Sequence, residues 1–371
     1  MKIRSFGFPI LVAVLAGFPT AVAGPKPSAT FKLPSVGGWV MTTDNITLIV
    51  SVPSKGELVY FDTVNDKEAK RVEVDFQPTA LALQGQTLFA ASKGSSEIYA
   101  LDLKSGKEIK KFKLPGEPVF HITCHPTTGL ICASNDQQKV FSIDVPKGKV
   151  QKTEARGMFL AIDPVKGNTL FTGSIKPPEE RIVVRGGANG STIITFEVSG
   201  DRAKLLKYSI SGETLKLIDG SDNAAIGASG TMHLSPDGKS IAFIAGGGWR
   251  SKTDESKHVE IAIFDTSDLR TMRGAVDVGA PQNLIFHPVL KVGVGLGNNV
   301  DLHFFNPKSL VIRKKESLER MPHTFWFNLL DFGAQGTKLI YLQGENLLFV
   351  PLELSAEDRA LLKGHYANQK K

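Results

Sequence analysis

The chain has 371 residues, 42% of them hydrophobic and 22% charged, a balance that excludes a wholly disordered protein. The net charge of +7 is spread along the sequence, so the basic stripe that nucleic-acid binding requires is absent. Two cysteines exclude a disulfide scaffold and a four-thiolate metal site.

Residues 1–23 predict a signal peptide. Lys2 and Arg4 form a basic start, an apolar run follows from Phe6 to Gly17, and Ala21-Val22-Ala23 is a small-x-small cleavage site. The apolar run is too short and too broken by Gly and Pro to span a bilayer. No cysteine follows the site to carry a lipid, and no later run is long enough for a span. The mature chain is expected to begin near Gly24 and to be exported to the periplasm or the extracellular space, with no transmembrane segment.

Residues 24–354 carry a period of about forty. Phe31-Lys32-Leu33-Pro34 returns as Phe112-Lys113-Leu114-Pro115, two periods later. A second series ends in an acidic or amide residue: Val59-Tyr60-Phe61-Asp62, Tyr99-Ala100-Leu101-Asp102, Phe141-Ser142-Ile143-Asp144, Ala262-Ile263-Phe264-Asp265 and His303-Phe304-Phe305-Asn306. A third precedes a turn: Cys124-His125-Pro126, Ile162-Asp163-Pro164, Leu234-Ser235-Pro236-Asp237-Gly238 and Phe286-His287-Pro288. Each repeat holds four short apolar segments between Pro, Gly, Asp and Asn turns, the signature of a propeller blade rather than a helical repeat. Innermost strands are predicted near Trp39, Ala80, Phe120, Phe159, Met232, Leu284 and Phe325. The last repeat has strands at 325–330, 338–342 and 347–352 but no fourth. The predicted fold is therefore an all-β, seven-bladed β-propeller of four-stranded blades, closed by the N-terminal strand at 30–33. Residues 355–371 form a short helix and polar tail: Ser355 caps it, Leu361 and Leu362 dock it, and Gly364 ends it.

The Ser235-Pro236-Asp237-Gly238 turn and the period resemble the WD40/YVTN-repeat-like superfamily over essentially the whole mature chain, although no blade ends in Trp-Asp. The resemblance implies a rigid platform on which many unrelated functions occur. Ala100 to Lys107 is similar to the repeat of quinone-dependent propeller dehydrogenases. It occurs once, with Lys110 where that family's docking tryptophan would stand, so no cofactor is expected.

Two repeats are too long. Pro164 to Pro236 spans 72 residues and Pro236 to Pro288 spans 52. The extra segments, about 175–191 with a further strand at 192–198, and 246–257, both follow a second strand. In an up-and-down blade the second-to-third loop and the link to the next blade share one face, so both inserts project from that face on adjacent blades. Long loops on a rigid scaffold are where binding resides. Arg181, Arg185, Trp249 and Arg250 offer charge and stacking for carboxylates, sulfates or sugar faces. The competing reading is that the glycines make tight turns and Trp249 merely packs the insert down. His121, Asn283 and His323 fall toward the channel end of innermost strands, where they face a ligand or solvent.

Other motifs are thinner. The glycine runs lack a Walker Lys-Ser/Thr, and no Gly-x-Ser-x-Gly elbow exists. Asp254, Glu255 and His258 have no fixed metal spacing and read as a solvated turn, so no metal is expected. His125 and His287 occupy a turn position where Asp163 and Ser235 also stand, which argues for bonding to the turn backbone. Cys124 and Cys132 flank one hairpin turn, either as a disulfide or as two thiols. Together these features predict an exported, non-enzymatic, monomeric binding or scaffold protein. Its insert-bearing face would meet a protein or an anionic or carbohydrate ligand, and no nucleic acid. The alternative is a propeller hydrolase or lactonase acting on a sugar-like substrate at the channel mouth.

Overall fold

The computed structural model describes residues 25–116, 118–135, 137–174, 182–186, 192–196, 204–220, 232–250, 258–276, 281–297, 301–317 and 329–368. They form a seven-bladed β-propeller of four-stranded antiparallel sheets, with one C-terminal helix. The innermost strands of blades one to six are Trp39–Met41, Pro78–Gln84, Val119–Cys124, Phe159–Ile162, Met232–Leu234 and Pro281–Phe286. In the seventh blade the innermost strand is Leu330–Gly333, downstream of the position near Phe325 that the sequence suggests. Residues 325–328 lie outside the described residues.

The ring closes as expected. Ala29–Lys32 pairs antiparallel with Asn346–Pro351 and becomes the outermost strand of blade seven. Phe31 lies between Phe61 of blade one and Phe349 of blade seven, with ring centroids 4.8 and 5.2 Å away. Leu33 is 1% exposed. The chain's first strand thus completes the last blade and also packs against the first.

Each junction between neighbouring blades has its own apolar core, seven in all. Both faces of every blade are covered, so the inner strands read as continuous apolar runs rather than alternating ones. In Lys139–Asp144, Phe141 and Ile143 enter the junction of blades two and three, while Val140 enters that of three and four. The same alternation settles the cysteines. Cys132 lies opposite Thr123, and Cys124 opposite Ile131, a register offset of one. Their side chains therefore leave opposite faces of the blade, Cys124 toward blade two and Cys132 toward blade four, and both thiols are free.

On the face away from the inserts, neighbouring turns interlock. His125 Nδ1 accepts the backbone N–H of Thr127 and Thr128 at 3.1 Å each, and His287 Nδ1 accepts those of Val289 and Leu290 at 3.1 and 3.0 Å. The opposite nitrogen of His287 lies 2.9 Å from Gly336 O of the next blade, and His125 bonds Gly167 O of its own neighbour. Gly336 (φ +81) and Gly167 (φ +68) leave no room for a side chain, since a Cβ would stand 2.6 and 2.3 Å from these imidazoles. The turn histidines are structural, as their place in the repeat predicts.

The helix runs Ala356–Asn368, beyond the expected stop at Gly364. Ser355 Oγ accepts the Asp358 N–H at 3.0 Å. Leu362 and Tyr366 are buried, but Leu361 is 56% exposed and does not dock. Asn45 donates to the Tyr366 hydroxyl at 2.7 Å, which anchors the additional turn.

Candidate functional site

The two inserts sit where strand order places them. In blade four a separate two-stranded sheet, Ile182–Gly186 with Thr192–Phe196, is inserted between the second strand, Thr169–Ser174, and the third, Lys204–Ser211. Two strands thus replace the loop and single strand expected there. Arg185 pairs with Ile193 within it. In blade five the second strand runs Ser240–Arg250 and the third begins at His258. Residues 246–250 of the expected 246–257 loop therefore continue the strand, with Trp249 opposite Val259 and Arg250 opposite His258, and 251–257 lie outside the described residues. The register slips between Ile244 and Trp249, where Gly246, Gly247 and Gly248 let the strand bulge. Arg181 and His323 lie outside the described residues.

The innermost strands can be aligned by register. The first residue of each inner turn bonds back across its hairpin: Thr42, His125, Asp163, Ser235 and His287, with Gly333 paired at the corresponding place. Four residues before this point, toward the insert-bearing face, stand Gly38, His121, Phe159, Asn283 and Leu329. Two residues before it, one layer deeper, stand Val40, Thr123, Ala161, His233, Ile285 and Asp331. The period of two gives both layers the same orientation.

His121 and His233 come from blades three and five and are half-buried, but the ring atoms His121 Nδ1 and His233 Nε2 are fully buried and lack a hydrogen-bond partner. Asn283, 1% exposed on blade six, hydrogen-bonds the His233 ring and accepts the Leu284 N–H on Oδ1 at 2.7 Å. Since His233 Nε2 is unpartnered, the bonded nitrogen is Nδ1. Burial pushes His121 down to about 4. Burial also pushes His233 down to about 4, helped by the nearby His121 and opposed by the Asn283 bond. Both imidazoles are therefore neutral at pH 7.

Asp331 of blade seven shares the deeper layer with His233. Burial raises its carboxyl to about 6, against the lowering effect of the Phe332 N–H at 2.7 Å and of a hydrogen bond from the Trp39 indole. Beside His121, Phe120 is bulged out of the strand pairing and 40% exposed, and meets Phe159 edge-on at 5.6 Å. The inner ends of these strands thus bring exposed aromatic surface close to a few enclosed polar groups.

Of the predicted residues, His121 and Asn283 belong to this cluster, and Arg185, Trp249 and Arg250 are on the insert segments. His233, Asp331 and Trp39 are additions. On the opposite face, a groove of 790 Å³ between blades three and four is lined by Asp144, Lys147, Lys149 and Glu213, whose charges pair with one another. Among the described residues, no group of three or more His, Cys, Asp or Glu is placed to hold a metal. Among the described residues, no helix is long and apolar enough to cross a membrane.

No protein-family model and no curated protein sequence matches the chain. Among solved structures it is similar to a chain of Kuenenia stuttgartiensis hydrazine synthase, with 15% identity and a TM-score of 0.59 over 88% of this chain and 97% of that one. At this identity the likeness concerns the propeller fold alone.

Proposed function

We propose that the protein is an exported, monomeric binding propeller of the WD40/YVTN-repeat-like class, without catalytic activity of its own. Its insert-bearing face meets a protein or an anionic or carbohydrate ligand. The observation that carries this reading is the placement of two inserts on adjacent blades and, by strand order, on one face. Ring closure holds that face rigid, so little ordering cost is added on binding. The basic start and the Ala21-Val22-Ala23 site support export with cleavage after residue 23.

A photo-crosslinking residue introduced at Trp249 or Arg250, and at Thr128 on the opposite face, tests this in the cell envelope of the native host. Adducts from the first two positions and none from Thr128 are expected. Adducts from Thr128 alone would overturn the choice of face. The hydrolase or lactonase reading draws on one observation, the titratable His121, His233 and Asp331 along the channel. Lactone hydrolysis that disappears in His233→Gln and Asp331→Asn would favour it.

A further inference from the structure

We propose that the channel mouth between blades three and six binds a neutral, hydroxyl-rich ring, a sugar or cyclic polyol, recognised through His121, His233 and Asn283. The inference rests on the reading of the propeller as a binding protein and narrows its ligand.

Hydrogen bonding comes first. The His233 ring is hydrogen-bonded to Asn283, whose Oδ1 takes the Leu284 N–H. This bond fixes the ring and leaves Nε2 without a partner. That nitrogen and His121 Nδ1 are enclosed and unpartnered. A buried polar atom left without a partner is costly, and a hydroxyl group relieves that cost by donating to a bare ring nitrogen or accepting from a protonated one. A hydroxyl does both through a single uncharged oxygen.

Charge decides the class. The site pushes two imidazoles toward their neutral form and a carboxyl toward its neutral form as well. Surroundings that oppose both signs disfavour a carboxylate, sulfate or ammonium group, because each must shed its hydration to enter. The neutral histidines supply no positive charge for an anion, and Asp331 repels one above its titration. Anions are left to the arginines of the inserts. Phe120 and its edge-on neighbour Phe159 add exposed apolar surface at the level of His121, suited to the C–H face of a ring.

The test uses the full mature chain and named probes: methyl glucoside, methyl galactoside, mannose and myo-inositol, with glucuronate and glucosamine as charged counterparts. Binding is read by calorimetry and saturation-transfer NMR. At least one neutral probe should bind, with glucuronate and glucosamine weaker by about tenfold or more. His233→Gln, which keeps bulk but moves the acceptor, and Asn283→Ala should each weaken it by a similar factor, with unchanged melting temperature confirming the fold. Three results would overturn the proposal: no neutral probe bound at tens of millimolar, a charged counterpart bound as tightly, or binding indifferent to folded His121→Ala, His233→Gln and Asn283→Ala. Crosslinking at Trp249 and Arg250 reads the insert face separately, so adducts there with a silent channel would reject this ligand class while leaving the binding-protein reading in place.

Discussion

The double variant Phe31→Ala, Leu33→Ala strips the closing strand of its anchors while leaving the backbone able to pair. Leu33 is 1% exposed, and truncating such a leucine costs about 2–5 kcal/mol. Phe31 is half-buried between Phe61 and Phe349, so roughly half of the 3–5 kcal/mol for a buried phenylalanine applies. The sum is about 4–7 kcal/mol, reduced somewhat because the two residues are neighbours. At roughly 2 °C per kcal/mol for a domain of this size, the melting temperature should fall by about 10 °C. The assay is calorimetric melting beside Ile109→Ala, a control on an outer strand where the side chain is 60% exposed. A fall no larger than the control's would refute closure by the N-terminal strand. Deleting residues 24–36 should be more severe, since it also leaves the Asn346–Pro351 edge unpaired.

Mass spectrometry of the exported protein should find an N-terminus near Gly24, and recovery of intact Met1 would reject cleavage. Thiol titration of the unfolded, unreduced protein should count two free cysteines; a count of zero would contradict the opposed directions of Cys124 and Cys132. Gly336→Ala should destabilise by about 2 kcal/mol or more, combining a positive φ with a clash against His287, and a neutral result would deny the interlocked turns. Burial pushes His287 down to about 4, opposed by the Gly336 bond and the Asp358 charge. Its folded pKa lies below the unfolded value, so its neutral form supports the fold fully above about pH 6.5 and that support fades as pH falls toward 4, by roughly 3 kcal/mol. Asp331 works with the opposite sign, its contribution being present below about pH 4 and lost as pH rises through about 6. Asp331→Asn should remove the second, and melting temperatures of that variant that stay flat from pH 7 to below 5 would refute the histidine effect.

The period was legible because every blade meets the same surroundings, so equivalent positions keep equivalent chemistry. Phe31 and Leu33 match Phe112 and Leu114 because both pairs sit on outermost strands. The channel was less legible. His121 and Asn283 could be placed by counting back from a turn proline, but His233 sits one layer deeper, and ring closure alone brings it near a residue 112 positions away. Asp331 was hidden by the Phe325-Trp326-Phe327 run, which draws the strand assignment upstream of Leu330–Gly333. The glycines after Ile244 read as a loop because strand propensity disfavours them, whereas here they make a bulge within a continuing strand.

The pairing of Phe31 with Leu347 has a consequence for how the protein is made. These partners are separated by nearly the whole sequence, so the strand synthesised first finds its mate only when the last blade emerges. At about 5–20 residues per second, that interval is roughly 16–63 s. Throughout it Phe31 and Leu33 lack the blade-seven half of their cover, and blade one has an open flank. A nascent chain in this state is a natural client for holding chaperones, and it cannot reach its final topology before synthesis is nearly complete. Under the export proposed above the delay is useful, because it keeps the chain threadable for longer. A variant that moves this strand to the C-terminus by circular permutation should close its ring locally and fold sooner, and so should cross the membrane less efficiently.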